Sequence, residues 1–430
     1  METLSEPVDI FVPGRVCLFG EHSDWAGSYR RINADIMPGR VIITGTNQGI
    51  HARVKPRFDS LLIRSSLPDG NQMESVEIPM QREALLKEAE KGGFFSYAAG
   101  VAHYMLTFYR IRGLEIDNYE TTLPMRKGLS SSAAFSVLAA RAFNKVYDLK
   151  LTVRAEMEAA YQGEIRTPSR CGRMDQGCAF GRVPVLMTFD GELLQTQRLR
   201  VGRPIHMLVA DLNAGKDTIR ILADLNRAYP FPGDPTAEKI HEYLGPVNHR
   251  LTDEAIAAIQ AGDPAALGDT MCRAQAEFDR CMIPACPSEL TAPKLHEVLS
   301  DSRINELVYG GKGVGSQGDG CVQFVTKGKS ERERLKQYLA DAYSMECFDL
   351  DLEPPQPVRK AVILAAGFGT QMFPASKEMK AEFFPVVTPD GVAKPVLLTI
   401  VEEAFTSGVE EVAIVVRRGE EHVINQFFEA

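Results

Sequence analysis

The residues with the clearest chemical potential are a glycine and three serines at the start of a predicted helix. The segment 124–134 reads PMRKGLSSSAA, and from Phe135 onward apolar residues recur every three or four positions. That spacing is typical of the buried face of a helix. The serines then lie at the N-cap and first turn, where free backbone N–H groups and the helix dipole attract anions. The segment predicts either a well-capped helix or a phosphate site in which a serine hydroxyl reaches a metal ion.

Another set of polar residues, which we call the first polar group, follows a predicted strand near the N-terminus. Arg15 lies on that strand, and Glu21, His22 and Asp24 follow a turn at Gly20. Arginine is a permanent cation that can stabilise phosphoryl charge. Two acids and a histidine within four positions suit several neighbouring hydroxyl groups, as on a sugar. The alternative is a polar surface loop, which this segment alone would favour.

Two carboxylates form a third group. Glu164 ends a predicted helix, and Asp175 comes in or just before the next turn. Mg²⁺ between phosphates prefers a few carboxylate ligands. A second carboxylate can accept the proton of a hydroxyl group. The structural alternative is an ion pair of Asp175 with Arg170 or Arg173.

A glycine-rich segment, 310–320, precedes a predicted strand at Cys321–Val325. It reads GGKGVGSQGDG. So many glycines predict an open backbone that can approach a ligand closely. The alternative is a flexible surface connection.

The elements that must position these groups alternate irregularly between strands and helices, which predicts a mixed α+β fold. Strands are predicted at Asp9–Val12, Val16–Phe19, Val41–Thr44, His51–Val54 and His206–Asp211. Helices are predicted at Phe95–Arg110, Ser131–Tyr147, Arg154–Ile165, Asp217–Tyr229 and Thr252–Ala261.

A proline-rich segment, Leu352–Pro357, predicts a stiff linker before a last unit. Beyond it, Lys360–Leu364 and Val412–Val416 have the pattern of buried strands, and Val396–Phe405 that of a helix between them. The glycine-bearing loop Ala365–Thr370 follows the first of these strands. This order predicts a short β-loop-helix-β element of Rossmann-like character.

Composition narrows the function classes. The 430 residues carry a net charge of −9, which argues against nucleic acid or an anionic membrane as partner. No apolar run is long enough to span a bilayer. The N-terminal residues lack the pattern of a secretory signal. The 8 cysteines are irregularly spaced, which predicts reduced thiols and a cytoplasmic protein.

In this order, the four groups resemble the GHMP kinase superfamily from about Pro7 to Leu352. The serine segment resembles its P-x-x-x-G-L-S-S-S-A loop, and 310–320 resembles its third, glycine-rich motif. The first polar group is most similar to the galactokinase signature G-R-V-N-L-I-G-E-H-T-D-Y, and Cys171–Gln176 resembles C-G-x-M-D-Q of that branch. The third motif of the family usually has glycine at the two positions that Gln317 and Asp319 occupy in this chain. The first group also departs from the signature, at Cys17, Trp25 and Ala26–Ser28.

The resemblance implies a two-lobed fold with a ribosomal protein S5 domain 2-like lobe at residues 1–203 and a ferredoxin-like lobe at 204–352. A linker at 353–357 and a Rossmann-like α/β segment at 358–430 would follow. It implies ATP and Mg²⁺ as cofactors, with Asp175 and Arg15 flanking the reacting hydroxyl. Sugar hydroxyls would bind Glu21, His22 and Asp24, and the metal ion would bind Ser132 and Glu164. The residues implied for ATP are Lys127, Gly128, Leu129, Ser130, Ser131, Ser132, Ala133, Gly315 and Gly318.

The segment Leu364–Lys377 resembles the sugar-phosphate nucleotidyltransferase signature L-A-A-G-x-G-T-R-x-x-P-x-T-K-x-x-P-K. Gln371 stands at the signature arginine, and Ala381 at the last lysine unless the register slips by one position. Both cations that would neutralise pyrophosphate are then missing. The segment is therefore interpreted as degenerate, with a structural or oligomerising role.

The expected function is an ATP-dependent sugar kinase that acts on the anomeric hydroxyl. A kinase of a non-sugar alcohol such as mevalonate, or a catalytically silent sugar and ATP sensor, are the alternatives. The expected partner is a small sugar in the cytoplasm, with no nucleic acid or membrane, and a homodimer is left open.

Overall fold

A computed structural model describes residues 6–66, 72–123, 129–169, 171–355, 358–389 and 391–429. The chain forms two compact units that divide after Pro354. None of the helices in these described ranges is long and apolar enough to cross a membrane.

The strands fall in both units. Their bounds are β1 Val8–Phe19, β2 Gly39–Arg57, β3 Ser60–Ser66, β4 Gln72–Pro79, β5 Gly113–Thr121, β6 Val185–Asp190, β7 Leu193–Arg198, β8 Ile205–Asp211, β9 Val308–Gly313, β10 Cys321–Thr326, β11 Cys347–Leu352, β12 Lys360–Leu364, β13 Pro385–Val387, β14 Ala393–Pro395 and β15 Glu411–Val415.

The helices follow the same numbering by chain order. Their bounds are α1 Ser23–Ser28, α2 Arg82–Lys91, α3 Phe94–Phe108, α4 Ser131–Val146, α5 Val153–Glu164, α6 Thr218–Asn226, α7 Pro235–Glu242, α8 Asn248–Ala261, α9 Pro264–Met282, α10 Pro287–Leu290, α11 Pro293–Ser300, α12 Ser302–Leu307, α13 Lys329–Tyr343, α14 Val396–Thr406 and α15 Glu421–Glu429.

The first unit holds a mixed sheet with the strand order β4-β3-β5-β2-β6-β7, and β1 pairs with β2. Helices α3, α4 and α5 pack together, and α4 also contacts β1 and β2. The apolar residues of α4 that were predicted to face the core are buried, including Phe135, Leu138 and Phe143. This packing fixes the start of α4, which carries the serines, next to strand β1.

A smaller antiparallel sheet in the same unit has the order β11-β8-β10-β9. Helix α9 packs against β9 and α13 against β8. The two sheets with their helices confirm the predicted mixed α+β class. The lobe boundary at 203 and the linker bounds stay predictions.

Strands β1 and β2 are longer than the sequence indicated, because each joins two predicted runs into one strand. The register of β1 on β2 shifts between Pro13 and Arg15, so Gly14 falls at a bulge. Bulges accommodate proline and glycine within a strand. The Pro-Gly pair therefore marks an irregular point of pairing and not the end of the strand.

The prediction of an open loop over all of 310–320 is wrong in its first part. Gly310–Gly313 belong to strand β9 and pair with β10. A methyl group at Gly310 would lie 2.1 Å from the carbonyl oxygen of Gly268 on α9. These first glycines thus allow a helix to pack closely on a strand, and the loop itself covers 314–320.

The second unit contains the predicted β-loop-helix-β order, with β12 and β15 paired in parallel. Its core is small and centres on Leu397, Val401 and Ile424. The prediction that both strands are buried is wrong, because Val362 and Leu364 are 65% and 79% exposed. Only the face that carries Ile363 packs against the core, whereas parallel sheets are usually covered on both faces.

Candidate active site

Three polar side chains meet where helix α4 begins. Arg15 on β1 forms an ion pair with Asp175, and its guanidinium also donates to the Ser130 hydroxyl at 2.6 Å. Ser130 Oγ donates in turn to Asp175 Oδ1 at 3.0 Å. The backbone supports this contact, since the Arg15 N–H donates to the carbonyl of Leu129 at 3.0 Å. Of the two alternative partners of Asp175, Arg173 pairs with Glu158 instead, and Arg170 lies outside the described residues.

This cluster is partly open. The Arg15 side chain is 5% exposed and that of Asp175 28% exposed. Burial lowers the pKa of Arg15, and neighbouring groups that include Asp24 oppose that shift. The arrangement offers a cation, a hydroxyl and an accessible carboxylate at a helix N-terminus, where charge on a phosphate would be stabilised.

Ser132 in the first turn of α4 lies beside Glu164, the last residue of α5. Glu164 is fully buried, and its Oε2 accepts from Gln176 Nε2 at 2.8 Å. Burial raises the pKa of Glu164, opposed by the hydroxyl of Ser132 and by Gln176. Its Oε1 has no hydrogen-bond partner among the described residues. An unpaired carboxylate oxygen beside a hydroxyl is a donor set that fits Mg²⁺.

Glu21 forms a buried ion pair that the sequence did not reveal. Lys312 on β9 donates to Glu21 Oε1 and also to the carbonyl of Gly313 at 3.1 Å. The two charged side chains are 0% and 1% exposed. The Glu21 carboxylate is therefore held by a cation from the second sheet.

His22 connects the first polar group to the glycine-rich loop. Trp25 Nε1 donates to His22 Nδ1 at 3.2 Å, so Nε2 carries the proton and faces the carbonyl of Ser316 at 3.2 Å. Burial first, and then the cations of Lys216 and Lys312, lower the pKa of His22 to about 4. The imidazole is accordingly neutral at physiological pH.

Asp24 is half-buried beside Gly172. Burial raises the pKa of Asp24, opposed by backbone hydrogen bonds and by Arg15. A methyl group at Gly172 would lie 2.3 Å from Asp24 Oδ2. The glycine of the Cys171–Gln176 segment thus leaves the space that this carboxylate occupies.

The glycine-rich loop, residues 314–320, is held by a lysine that no sequence motif marks. Lys216 Nζ donates to the carbonyls of Val314 and Gln317 at 3.1 and 2.7 Å. Burial lowers the pKa of Lys216 to about 8. Gly315 and Gly318 both have positive φ, of 69° and 70°, which glycine adopts without strain.

The two unusual loop residues have structural partners. Gln317 is fully buried with a φ of 63°, and its Nε2 donates to the carbonyl of Gly313 at 3.4 Å. Asp319 accepts from the backbone N–H of Leu295 at 2.9 Å, in the first turn of α11. Asp319 therefore anchors the loop to a helix where a glycine could not.

The structure brings most of the predicted site residues into one region. Arg15 and Asp175 meet Ser130, and Ser132 meets Glu164, while His22 reaches the glycine-rich loop. Leu129, Ser131 and Ala133 lie in the same segment, of which Ser131 begins α4. Lys127 and Gly128 lie outside the described residues. Lys216 and Lys312 are the contributors that spacing did not single out.

Two family models match parts of the chain. Residues 96–182 match the GHMP kinases N terminal domain, and residues 360–430 match Nucleotidyl transferase. The matched N-terminal domain contains helix α4 with its serines, Glu164 and Asp175.

The curated relatives also fall into two groups, one of kinases and one of nucleotidyltransferases. A mevalonate kinase of Archaeoglobus fulgidus is 23% identical over 322 residues, which cover 74% of this chain and 93% of the relative. A UTP–glucose-1-phosphate uridylyltransferase of Mycoplasma pneumoniae is 43% identical over 70 residues, 16% of this chain. The chain spans only 22% of the length of that uridylyltransferase.

Solved structures share the fold of the first unit. Galactokinase of Lactococcus lactis in complex with galactose gives a TM-score of 0.62 at 17% identity, over 81% of this chain and 94% of the other. Mevalonate kinase of Methanococcus jannaschii gives 0.62 at 17% identity, over 82% and 99%. The predicted resemblance to GHMP kinases in the first unit and to a part of the nucleotidyltransferases in the second is thereby confirmed, and the solved structures show the fold of the first unit.

Proposed function

We propose that the chain is an ATP-dependent kinase that phosphorylates the anomeric hydroxyl of a sugar and yields a sugar 1-phosphate. The observation that carries this proposal is the contact of Arg15, Ser130 and Asp175 at the start of α4. It combines a cation, a helix N-terminus and an accessible carboxylate within hydrogen-bond distance of one another. Phosphoryl transfer needs this kind of positioning and charge neutralisation more than covalent chemistry.

Each group has a distinct role in this proposal. Asp175 accepts the proton of the attacking sugar hydroxyl, and Arg15 stabilises the charge of the transferring phosphoryl group. The backbone N–H groups at the start of α4 and the glycine-rich loop bind the triphosphate. Ser132 and Glu164 would hold Mg²⁺, which when bound neutralises phosphate charge.

The first polar group supports a sugar as the acceptor, with Glu21, His22 and Asp24 as its proposed hydroxyl ligands. Asp24 is the most available of the three, because it is half-buried and lies near Arg15. Glu21 and His22 contact Lys312 and the carbonyl of Ser316. A substrate hydroxyl would have to share these two side chains with those contacts.

A kinase of a non-sugar alcohol is the second candidate, favoured by the mevalonate kinase relative that is matched over 93% of its length. A catalytically silent sensor is less well supported. Asp175 stays accessible and contacts two donors, and a sensor has no need of such a base.

An assay of ADP release across hexoses, pentoses, uronic acids and mevalonate separates these candidates. Turnover with a sugar, and ³¹P NMR that assigns the phosphate to the anomeric carbon, is the expected result. Turnover with mevalonate alone would favour the second candidate. Sugar binding by calorimetry with no turnover on any compound would favour the sensor.

The proposed setting is the cytoplasm, with a small sugar as partner and neither nucleic acid nor membrane. None of the eight cysteines, all of which lie in the described residues, forms a disulfide, which suits a reducing compartment. A homodimer is the proposed oligomeric state, and sedimentation velocity over a range of concentrations tests it. A single monomeric species at every concentration would contradict it.

We further propose that the second unit does not transfer nucleotides. Gln371 and Ala381 stand where the resembling signature has cations, and Lys380 is paired with Glu420 at 2.7 Å. Few cations then remain to neutralise pyrophosphate. Incubation with UTP and glucose 1-phosphate should release no pyrophosphate, and steady release would contradict this assignment.

A further inference from the structure

The glycine-rich loop is held through its carbonyl groups. Lys216 donates to the carbonyls of Val314 and Gln317, and His22 faces that of Ser316. Lys216 extends from the segment between β8 and α6, whereas His22 follows β1. Two separate segments of the first unit therefore contact the carbonyl groups of this loop.

This arrangement fixes where the loop's amide groups point. In a planar trans peptide, the carbonyl of one residue and the N–H of the next point in opposite directions. Because the carbonyls of Val314 and Gln317 face Lys216, the N–H groups of Gly315 and Gly318 face away from it. Neither of these N–H groups has a hydrogen-bond acceptor among the described residues.

We propose that Lys216 is a positioning residue that holds the glycine-rich loop so that the Gly315 and Gly318 amides face the phosphate chain of the nucleotide. The proposal rests on the kinase function above, and it assigns to Lys216 a role different from direct contact with phosphate. Consecutive amides held in such an orientation form a concave anion site. The lysine side chain is suited to this task, since its ammonium group can donate to two carbonyls at once.

The position of Lys216 supports holding rather than ligand contact. A methyl group at Gly320 would lie 2.9 Å from its Nζ, so the ammonium lies inside the loop. Two of its three donors are used by the loop carbonyls. The glycines at 315, 318 and 320 leave room for the lysine stem and head beneath the backbone.

The test compares Lys216→Met and Lys216→Arg with a matched control, Lys327→Met. Lys327 also donates to two consecutive backbone carbonyls, those of Asn305 and Glu306, but outside the loop. Amide hydrogen exchange is measured over 313–320 in the free protein, and the amide of Val314, which donates to the carbonyl of Cys321 at 3.0 Å, reports on loop order. Affinity for the β,γ-imido analogue of ATP with Mg²⁺ is measured by calorimetry, and KM for ATP and for the acceptor by turnover.

Lys216→Met should speed exchange of the loop amides and weaken analogue binding by about tenfold or more, with KM for ATP raised and KM for the acceptor little changed. Lys216→Arg should restore most of both properties, because arginine also donates to two carbonyls. Lys327→Met should match the wild-type chain in each measurement.

Weakened analogue binding with unchanged loop exchange in Lys216→Met would overturn the proposal, because it would indicate direct contact with phosphate. Wild-type affinity in that variant would overturn it as well. If Lys216→Met does not fold, failure of Lys216→Arg to keep slow loop exchange decides against it. A wild-type chain that binds no analogue and turns over no acceptor would refute the kinase function. The exchange data would still show whether Lys216 positions the glycine-rich loop.

Discussion

Asp175 and Arg15 lie 160 positions apart in the sequence and meet at the start of one helix. Their residue types and neighbouring motifs indicated that each could take part in phosphoryl transfer. Spacing suggested only nearby arginines as partners of Asp175, whereas the family resemblance implied that Arg15 and Asp175 flank one hydroxyl. The fold determines this ion pair, because β1 passes the start of α4 and brings Arg15 there.

The variant Asp175→Asn removes the proposed base and keeps the size of the side chain. We expect kcat to fall by about 10²–10⁴-fold, the usual contribution of a general base, while sugar affinity by calorimetry stays close to wild type. Asp190→Asn is the control. Asp190, the last residue of β6, is also paired with an arginine, Arg30, at 2.5 Å, but it is not among the proposed site residues. Near wild-type turnover in Asp175→Asn would refute its assignment as the base.

His22 predicts a dependence of stability on pH. Its folded pKa of about 4 lies below the ordinary 6.5, so as pH falls the unfolded chain binds the proton first. The free energy of unfolding should therefore fall between about pH 6.5 and 4, by at most roughly 1.4 kcal/mol per pH unit, and the full contribution is present above that range.

Urea unfolding of the wild type and of His22→Gln from pH 7.5 to 4.5 measures this effect. Glutamine can still donate to the Ser316 carbonyl but does not titrate, so the variant should lose less stability than the wild type as pH falls. Parallel losses in the two proteins would show that His22 is not held neutral by its burial near Lys216 and Lys312.

At the scale of elements, helices and strands with a clear local pattern could be predicted, and those without one could not. Helix α4 begins at Ser131 as its apolar spacing indicated, because that signal is local. The expected serine cap is not formed, since the Ser130 side chain makes no cap hydrogen bond and donates to Asp175 instead. Strand β9 was missed because its glycines resemble loop residues. Only the packing of α9 against it, which lies far away in sequence, explains them.

Gly20 ends strand β1 and turns the chain toward the first polar group. It has a φ of 89°, and a methyl group there would lie 2.0 Å from the carbonyl oxygen of Arg40. We expect Gly20→Ala to cost the left-handed penalty of about 1–2 kcal/mol and a further ~1–3 kcal/mol of steric strain. Urea unfolding monitored by circular dichroism measures the loss.

Gly191→Ala is the matched control for this turn. Gly191 also has a positive φ, of 61°, but its nearest atom to an added methyl group is 3.6 Å away. It should therefore show the backbone penalty alone. Equal losses in the two variants would mean that the contact with Arg40 relaxes freely.

At the scale of the whole molecule, the two units differ in how much core they hold. The larger apolar clusters draw their residues from positions 10–352, whereas the second unit centres on three buried side chains. The proline-rich segment marked this division in the sequence, because its composition is local. The exposure of Val362 and Leu364 could not be read from their types, which suit either a buried or an open strand.

A chain that ends after Pro354 tests the independence of the first unit. Since that unit has its own core, we expect the shortened chain to unfold cooperatively and to bind the β,γ-imido analogue of ATP as the full chain does. Scanning calorimetry and isothermal titration measure the two properties. Loss of the cooperative transition would show that the second unit is needed for folding of the first.

The buried pair of Glu21 and Lys312 restricts the substitutions that homologous chains can accept at these two positions. Loss of either side chain alone leaves a charge in the core without its partner, which typically costs about 3–5 kcal/mol. Replacement of both by apolar residues of similar size can be nearly neutral. Either single replacement thus lowers the stability of the fold, whereas the double replacement need not. Homologous chains should therefore keep both residues or lack both, and chains with only one of them should be rare.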